Sequence, residues 1–175
     1  MTRISTTAFA SAMLLCLAPA RASSVVLGAS KDNTLYQTAT GNSSNGAGSH
    51  FFAGSNAGGT VRRGVVQFDV AGNVPSGARI LSVTLQLHVS KSRAGSHTTE
   101  LHRVLADWGE GTSDAPGAEG SGTTPSTGDA TWLHTFYPAA FWASKGGDFA
   151  PTASASIKVG GSGFYHWGST ADMVQ

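Results

Sequence analysis

Leu81-Ser82-Val83-Thr84-Leu85-Gln86-Leu87-His88-Val89 decides the fold class. Apolar residues hold every odd position and polar residues every even one, the period of two of a half-buried strand. One face must cover a core while Ser82, Thr84, Gln86 and His88 meet water. Antiparallel sheets tolerate one wet face; parallel sheets seldom do. Upstream, Arg62-Arg63-Gly64-Val65-Val66-Gln67-Phe68-Asp69-Val70 reads as a second strand, with Val66, Phe68 and Val70 on one face. The connector from Ala71 to Gly77 carries Gly, Asn and Pro, so the chain turns there and the two strands are expected to pair as antiparallel neighbours. Val66, Phe68 and Val70 and the leucines around Leu85 would then turn toward one dry interior.

Further short strands are expected at Val25–Leu27, Thr34–Thr38, His50–Ala53, Glu100–Leu105, Thr131–Phe136, Ala155–Val159 and Phe164–Trp167. Between them lie Gly/Ser/Asn/Thr-rich stretches at Gly41–Ser49 and Gly109–Gly128; the second exceeds ordinary loop length and is expected to be functional or mobile. Many short strands with frequent turns define an all-β chain, an antiparallel β-sandwich of the jelly-roll kind. Ser169 or Thr170 followed by Ala171-Asp172-Met173-Val174-Gln175 reads as a helix start that stops after about one turn. The sandwich is therefore expected to lack its C-terminal closing strands.

Composition bounds the rest. The 175 residues suit one domain, charged residues are only 12%, and Gly numbers 23. No apolar run reaches the roughly 18 residues of a membrane span. A coiled coil, a transmembrane bundle, a charged disordered tail and a basic nucleic-acid binder are excluded as classes.

Met1 to Ala22 reads as a secretory signal peptide: Arg3 is its positive end, Ala8 to Ala18 its apolar centre, and Ala20-Arg21-Ala22 its cleavage site. Cleavage removes Cys16, the only cysteine, so the exported chain, extracellular or periplasmic, has no disulfide. Without Arg3 and Arg21, 9 of the 11 basic residues face 10 acidic ones, a net of −1. Residues 23–175 then form the domain, expected to be a monomer.

Several segments, in order, resemble the DNRLRE-type domain grouped with family 96 of the carbohydrate-binding modules. Lys31-Asp32-Asn33-Thr34-Leu35-Tyr36 is similar to its opening strand, and Ser44 to Gly54 to its Gly-containing loop and following short strand. Arg62 to Val70 and Ile80 to Val89 resemble its basic-aliphatic-Phe-Asp strand and the partner after it. Asp107-Trp108-Gly109-Glu110-Gly111 and Asp129-Ala130-Thr131-Trp132 resemble its two tryptophan motifs. The resemblance covers Ser24 to Trp167. It implies an exported β-sandwich that docks on polysaccharide, acidic in some members, without catalysing a reaction. A structural or adhesive surface domain without a glycan site, or part of a polysaccharide-degrading enzyme, are the alternatives.

The chemistry-bearing residues are read against that expectation. No nucleophile elbow, metalloprotease helix or phosphate loop occurs. Gly146-Gly147-Asp148-Phe149 shares only the letters of a nucleotide-cyclase signature. The six histidines show no i, i+4 pair. Calcium is the cofactor the chain would take: Asp107, Glu110 and Asp114 offer three carboxylates among glycines, against the alternative that they bond turn amides.

A flat indole can lie against a sugar ring. Trp108 and Trp132 adjoin strands and are expected in the core; Trp142, near Phe141 and Lys145, is expected at the surface as a ligand platform. Tyr36, Tyr165 and His166 are secondary candidates. For an acidic ligand Arg62, Arg63 and Arg103 count most, since a guanidinium grips a carboxylate through two hydrogen bonds. Lys91 and Arg93 are expected in a solvated turn, and Arg63 has Asp69 as a possible sheet partner.

Overall fold

The computed structural model describes residues 22–92 and 95–175. The leader up to Arg21, and Arg93, lie outside the described residues. Within them the chain is all-β and antiparallel throughout. β1 (Lys31–Tyr36) pairs with β3 (Val61–Gln67), which carries the two-residue β2 (Gly54–Ser55) on its other side. After the short helix α1 (Val70–Asn73) come three two-stranded ribbons. β4 (Leu85–Val89) pairs with β9 (Gly163–Trp167), β5 (His97–Leu101) with β8 (Ala155–Val159), and β6 (His134–Phe136) with β7 (Ala140–Phe141).

The alternation at Leu85–Val89 holds: Leu85, Leu87 and Val89 are half-buried, while Gln86 and His88 are exposed. The strand starts four residues later than the sequence pattern implies. Leu85 lies opposite Trp167, the end of β9, so residues before it have no strand to meet. Val83 instead donates its N–H to Ser169 Oγ at 3.1 Å, and Leu81 is 66% exposed. The expected pairing of this strand with β3 does not occur. Asp69 accepts from Gly72 N at 2.9 Å and caps α1, ending β3 at Gln67. That turn leads the chain away, and β3 pairs with β1 in the register Leu35↔Arg63 and Asn33↔Val65.

The core forms on the other side of β3 from the one expected. Leu35, Val65, Trp108, Ala130, Trp132 and Trp142 pack together, with Val61, Val104, Ala106 and Leu133 at the margin. Phe68 is half-buried and Val70 exposed. Four expected strands are displaced: that at Thr34–Thr38 is β1, Lys31–Tyr36, the segment at Glu100–Leu105 is β5 from His97, that at Thr131 starts only at His134, and His50–Ala53 gives way to β2. Val25–Leu27 forms no strand. The chain ends in a single 3-10 turn, Asp172–Val174, with Thr170 Oγ1 accepting from Met173 N.

The long loop 109–128 is tethered to the rest of the chain by hydrogen bonds. Ser44 and Thr123 exchange backbone hydrogen bonds of 3.0 and 2.9 Å. Asn33, fully buried, donates to Glu110 O at 2.9 Å and accepts from Asn45 N at 3.1 Å. Asn45 donates to Glu119 Oε2 at 3.0 Å and accepts from Ala115 N at 2.8 Å. Buried amides and carboxylates are tolerated because they are satisfied in this way.

Candidate functional site

β3 has two unlike walls. Successive side chains of a strand point to opposite faces. Arg62 therefore shares a face with Tyr36, its partner across the ladder, and Arg63 shares the other with Leu35. β2 covers only Val61 and Arg62, so the edge of β3 beyond Arg62 has no strand beside it. A cleft of about 1210 Å³ opens along that edge, with β5 forming its far wall. Ala53, Ala57, Val104, Phe149 and Val159 supply its accessible apolar surface, over the buried Leu35, Val65 and Trp142.

The cations of the cleft are Arg62, Arg63 and Lys91; its carboxylates are Glu100 and Asp148, and its imidazoles His97 and His102. Both carboxylates are engaged. Asp148 accepts from the backbone N–H groups of Ala143 at 2.8 Å and Ser144 at 2.7 Å, and Glu100 faces His102 Nε2 at 3.3 Å. Neither arginine forms an ion pair among the described residues. The Asp69 partner considered for Arg63 is spent on α1.

Arg63 stacks over Trp132 at 5.1 Å and Phe149 at 4.7 Å and donates Nη1–H to Gly146 O at 2.6 Å. Burial disfavours its charge and pushes its pKa down, yet a guanidinium remains protonated. Arg62 lies over Tyr36 at 5.6 Å, and its Nε is buried without a hydrogen-bond partner among the described residues. A half-desolvated cation without a counter-charge costs free energy that a bound anion can offset. Cation–π contacts return only about 0.5–2 kcal/mol each.

Gly146 is required where it stands. Its φ of +87° is in the left-handed region, and an added Cβ would meet Arg63 Nη1 at 2.6 Å and the Trp132 ring at 2.8 Å. A separate open depression of about 490 Å³ is lined by residues that include Gln37, Thr60, Trp132 and Lys145.

Of the residues singled out from sequence, the cleft gathers Arg62, Arg63 and Trp142. Trp142 is not the exposed platform expected: it is 6% exposed, and its Nε1–H is fixed on Thr131 O at 2.9 Å. Its neighbour Phe141 takes the surface position instead. All four indoles are buried, Trp108 and Trp132 in the core as expected. Tyr36 is also buried, its hydroxyl donating to Glu119 O at 2.9 Å, and burial pushes its pKa up to about 12.

Tyr165 and His166 sit away from the cleft on β9. The Tyr165 hydroxyl pins the β8–β9 turn, accepting from Gly160 N at 3.0 Å and donating to Gly161 O at 2.9 Å. His166 is exposed, with its Nε2 3.3 Å from Gln86 Nε2. Arg103 is exposed and outside the cleft wall, whereas Lys91, expected in a solvated turn, is part of it.

The three carboxylates proposed for calcium do not converge. Asp107 pairs with Lys31 Nζ at 3.0 Å, Glu110 Oε1 accepts from Asp32 N at 2.9 Å, and Asp114 is exposed. Hydrogen bonds from Lys31 and the Trp108 amide hold the Asp107 carboxyl below its usual range. Asp32 is pushed up, first by burial and then by the nearby Glu110 charge. Among the described residues no group of three or more His, Cys, Asp or Glu side chains is placed to hold a metal ion.

Phe149, Gly146, His97, His102 and Glu100 were missed as cleft residues. A local signal existed for two of them, in the run Gly146-Gly147-Asp148-Phe149, whose backbone carbonyl and ring receive Arg63. No helix among the described residues is long and apolar enough to cross a membrane. Comparison with protein-family models, with curated proteins and with solved structures yields no match to this chain.

Proposed function

We propose that this chain is an exported, non-catalytic module that docks reversibly on an acidic polysaccharide along the β3–β5 cleft. The observation that carries the reading is that neither arginine of the cleft, Arg62 or Arg63, forms an ion pair among the described residues. Sugar carboxylates supply the charge, and the half-buried Val104 and Phe149 take the carbon face of a sugar ring. Arg62 and Lys91 extend the basic wall along the cleft, as a polymer with repeated carboxylates requires. The resemblance to carbohydrate-binding domains agrees with this chemistry, and no metal enters it.

The test is binding of the mature chain to a polyuronate and to a neutral glucan, at low and at physiological salt. Polyuronate binding that weakens with salt and falls at least tenfold in Arg63→Ala is expected, since a hydrogen bond to a charged group contributes about 1.5–3 kcal/mol. Equal affinity for both polymers would overturn the assignment. The burial of all four tryptophans favours the second reading, a structural surface domain without a glycan site. Absence of binding to either polymer would select it.

A further inference from the structure

We propose that binding in the β3–β5 cleft is coupled to proton uptake at His102, so that affinity for an anionic polymer rises as the medium turns acidic. The inference rests on the reading of the cleft as a polyanion site. His102 has an acceptor at each ring nitrogen: Ala150 O lies 2.8 Å from Nδ1, and Glu100 Oε2 lies 3.3 Å from Nε2. A neutral imidazole has one donor and one lone pair, so it can satisfy only one of these oxygens. The doubly protonated ring satisfies both. Geometry alone therefore prepares this site for the imidazolium.

Every charged group around the ring bears on the coupling. Glu100, on β5, places its carboxylate 3.3 Å from Nε2. Arg63 and His102 share the Phe149 ring: the guanidinium sits over its face at 4.7 Å and the imidazole against its edge at 5.3 Å. Before ligand binds, Arg63 opposes a second positive charge so close. Asp148, the other carboxylate of the cleft, is held by two backbone amides. Arg103, the next residue, is exposed and outside the wall, as its carbonyl accepts from Ala150 N. Arg62, Lys91 and His97 complete the charged and titratable lining.

A sugar carboxylate at Arg63 cancels the opposing charge and makes the imidazolium more favourable. By reciprocity, the imidazolium strengthens the carboxylate's binding by the same factor. Protonated His102 also offsets the charge of Glu100, one of the two carboxylates of the wall that repel a polyanion, the other being Asp148. Histidine is the side chain whose charge changes between pH 5 and 8, while a sugar carboxyl, like an ordinary α-carboxyl, stays ionised there. For a separation on the order of 8 Å, a unit charge would change the affinity for a carboxylate roughly 3- to 30-fold at effective dielectric constants of about 60 to 20.

The experiment is calorimetric titration of the mature chain with an oligogalacturonate at constant ionic strength, at about pH 5.5, 6.5 and 7.5. Affinity is expected to rise at least threefold toward pH 5.5, with protons taken up on binding in two buffers of different ionisation enthalpy. His102→Gln and Glu100→Gln, both at the cleft wall, are each expected to flatten the profile; the second keeps the imidazole, so a folding defect at His102 does not decide the outcome. A pH-independent affinity in the native chain overturns the coupling and leaves the cleft reading standing. A pH dependence that survives His102→Gln but vanishes in His97→Asn overturns the assignment to His102. No binding at any pH overturns the cleft reading itself, and the coupling with it.

Discussion

Replacing Glu119 by Gln should destabilise the domain by about 2–4 kcal/mol at neutral pH. Glu119 is 9% exposed and has φ +57°, an unusual setting for a residue with a side chain. Its carboxylate accepts from Asn45 Nδ2 at 3.0 Å, His50 N at 2.9 Å and Ser49 N at 3.2 Å, and His50 Nδ1 stands 3.5 Å away. Glutamine presents one oxygen and one NH2 to these donors, so at least one of them faces another donor. A buried donor left without an acceptor costs about 1–3 kcal/mol, and losing the charge weakens the bonds that remain. For a domain of about 150 residues that lowers Tm by roughly 5–15 °C, taking about 2–4 °C per kcal/mol.

The same carboxylate makes a signed pH prediction. Burial raises its pKa, but the hydrogen bonds from Asn45, His50 and Ser49 outweigh burial and leave it below the ordinary value. A depressed carboxyl contributes stability that is complete above its unfolded pKa of about 4.3 and is lost as pH falls through the folded value. Urea unfolding followed by tryptophan fluorescence suits the assay, because all four indoles are buried in the folded state. The native chain and Glu119→Gln should differ most at pH 7 and converge in acid. A difference below about 0.5 kcal/mol at pH 7, the scatter of an ordinary surface change, would refute the reasoning.

Two more expectations follow from the same geometry. Gly146→Ala should cost about 2–4 kcal/mol in urea unfolding, combining left-handed strain of about 1–2 kcal/mol with overpacking against Arg63 and Trp132; a cost under about 0.5 kcal/mol would show that Arg63 moves aside freely. His134 is buried, which disfavours its charged form and depresses its pKa. The unfolded chain then binds the extra proton first, so stability is full above about pH 6.5 and falls as pH drops through the unfolded value toward the folded one. Urea midpoints of the native chain should decline over that window more than those of His134→Gln; parallel profiles would assign the decline elsewhere.

Local pattern was enough for the strand class and for the ribbon of Leu85–Val89, because side-chain alternation is a property of a single segment. Ala155–Val159 and Phe164–Trp167 were legible for the same reason. Partner choice was not. Whether β3 meets β1 or β4 depends on the cap that Asp69 forms with Gly72 and on ladder pairs 26 to 36 residues apart. The face of β3 that turns inward was also hidden, since Val65 and Val66 are equally apolar and the decision lies with Leu35 and three tryptophans from distant loops.

In the candidate site, Arg62 and Arg63 stood out as adjacent cations, but Phe149, Gly146 and His102 reach them only through the folded chain. Trp142 misled because a loop position beside Phe141 and Lys145 reads as surface, while its indole N–H finds a buried acceptor in Thr131 O. Glu119 gave no local sign at all: its partners lie some 70 residues earlier, in the loop that the long 109–128 segment clasps.

Backbone and tryptophan-side-chain NMR shifts, followed as an oligogalacturonate is added, show directly which surface holds the sugar. Shifts gathered at Arg63, Val65, Gly147, Phe149 and the Trp142 indole N–H are the predicted footprint. Shifts gathered instead at Phe164 and His166 on the outer face of the β4–β9 ribbon, or none anywhere, would contradict it.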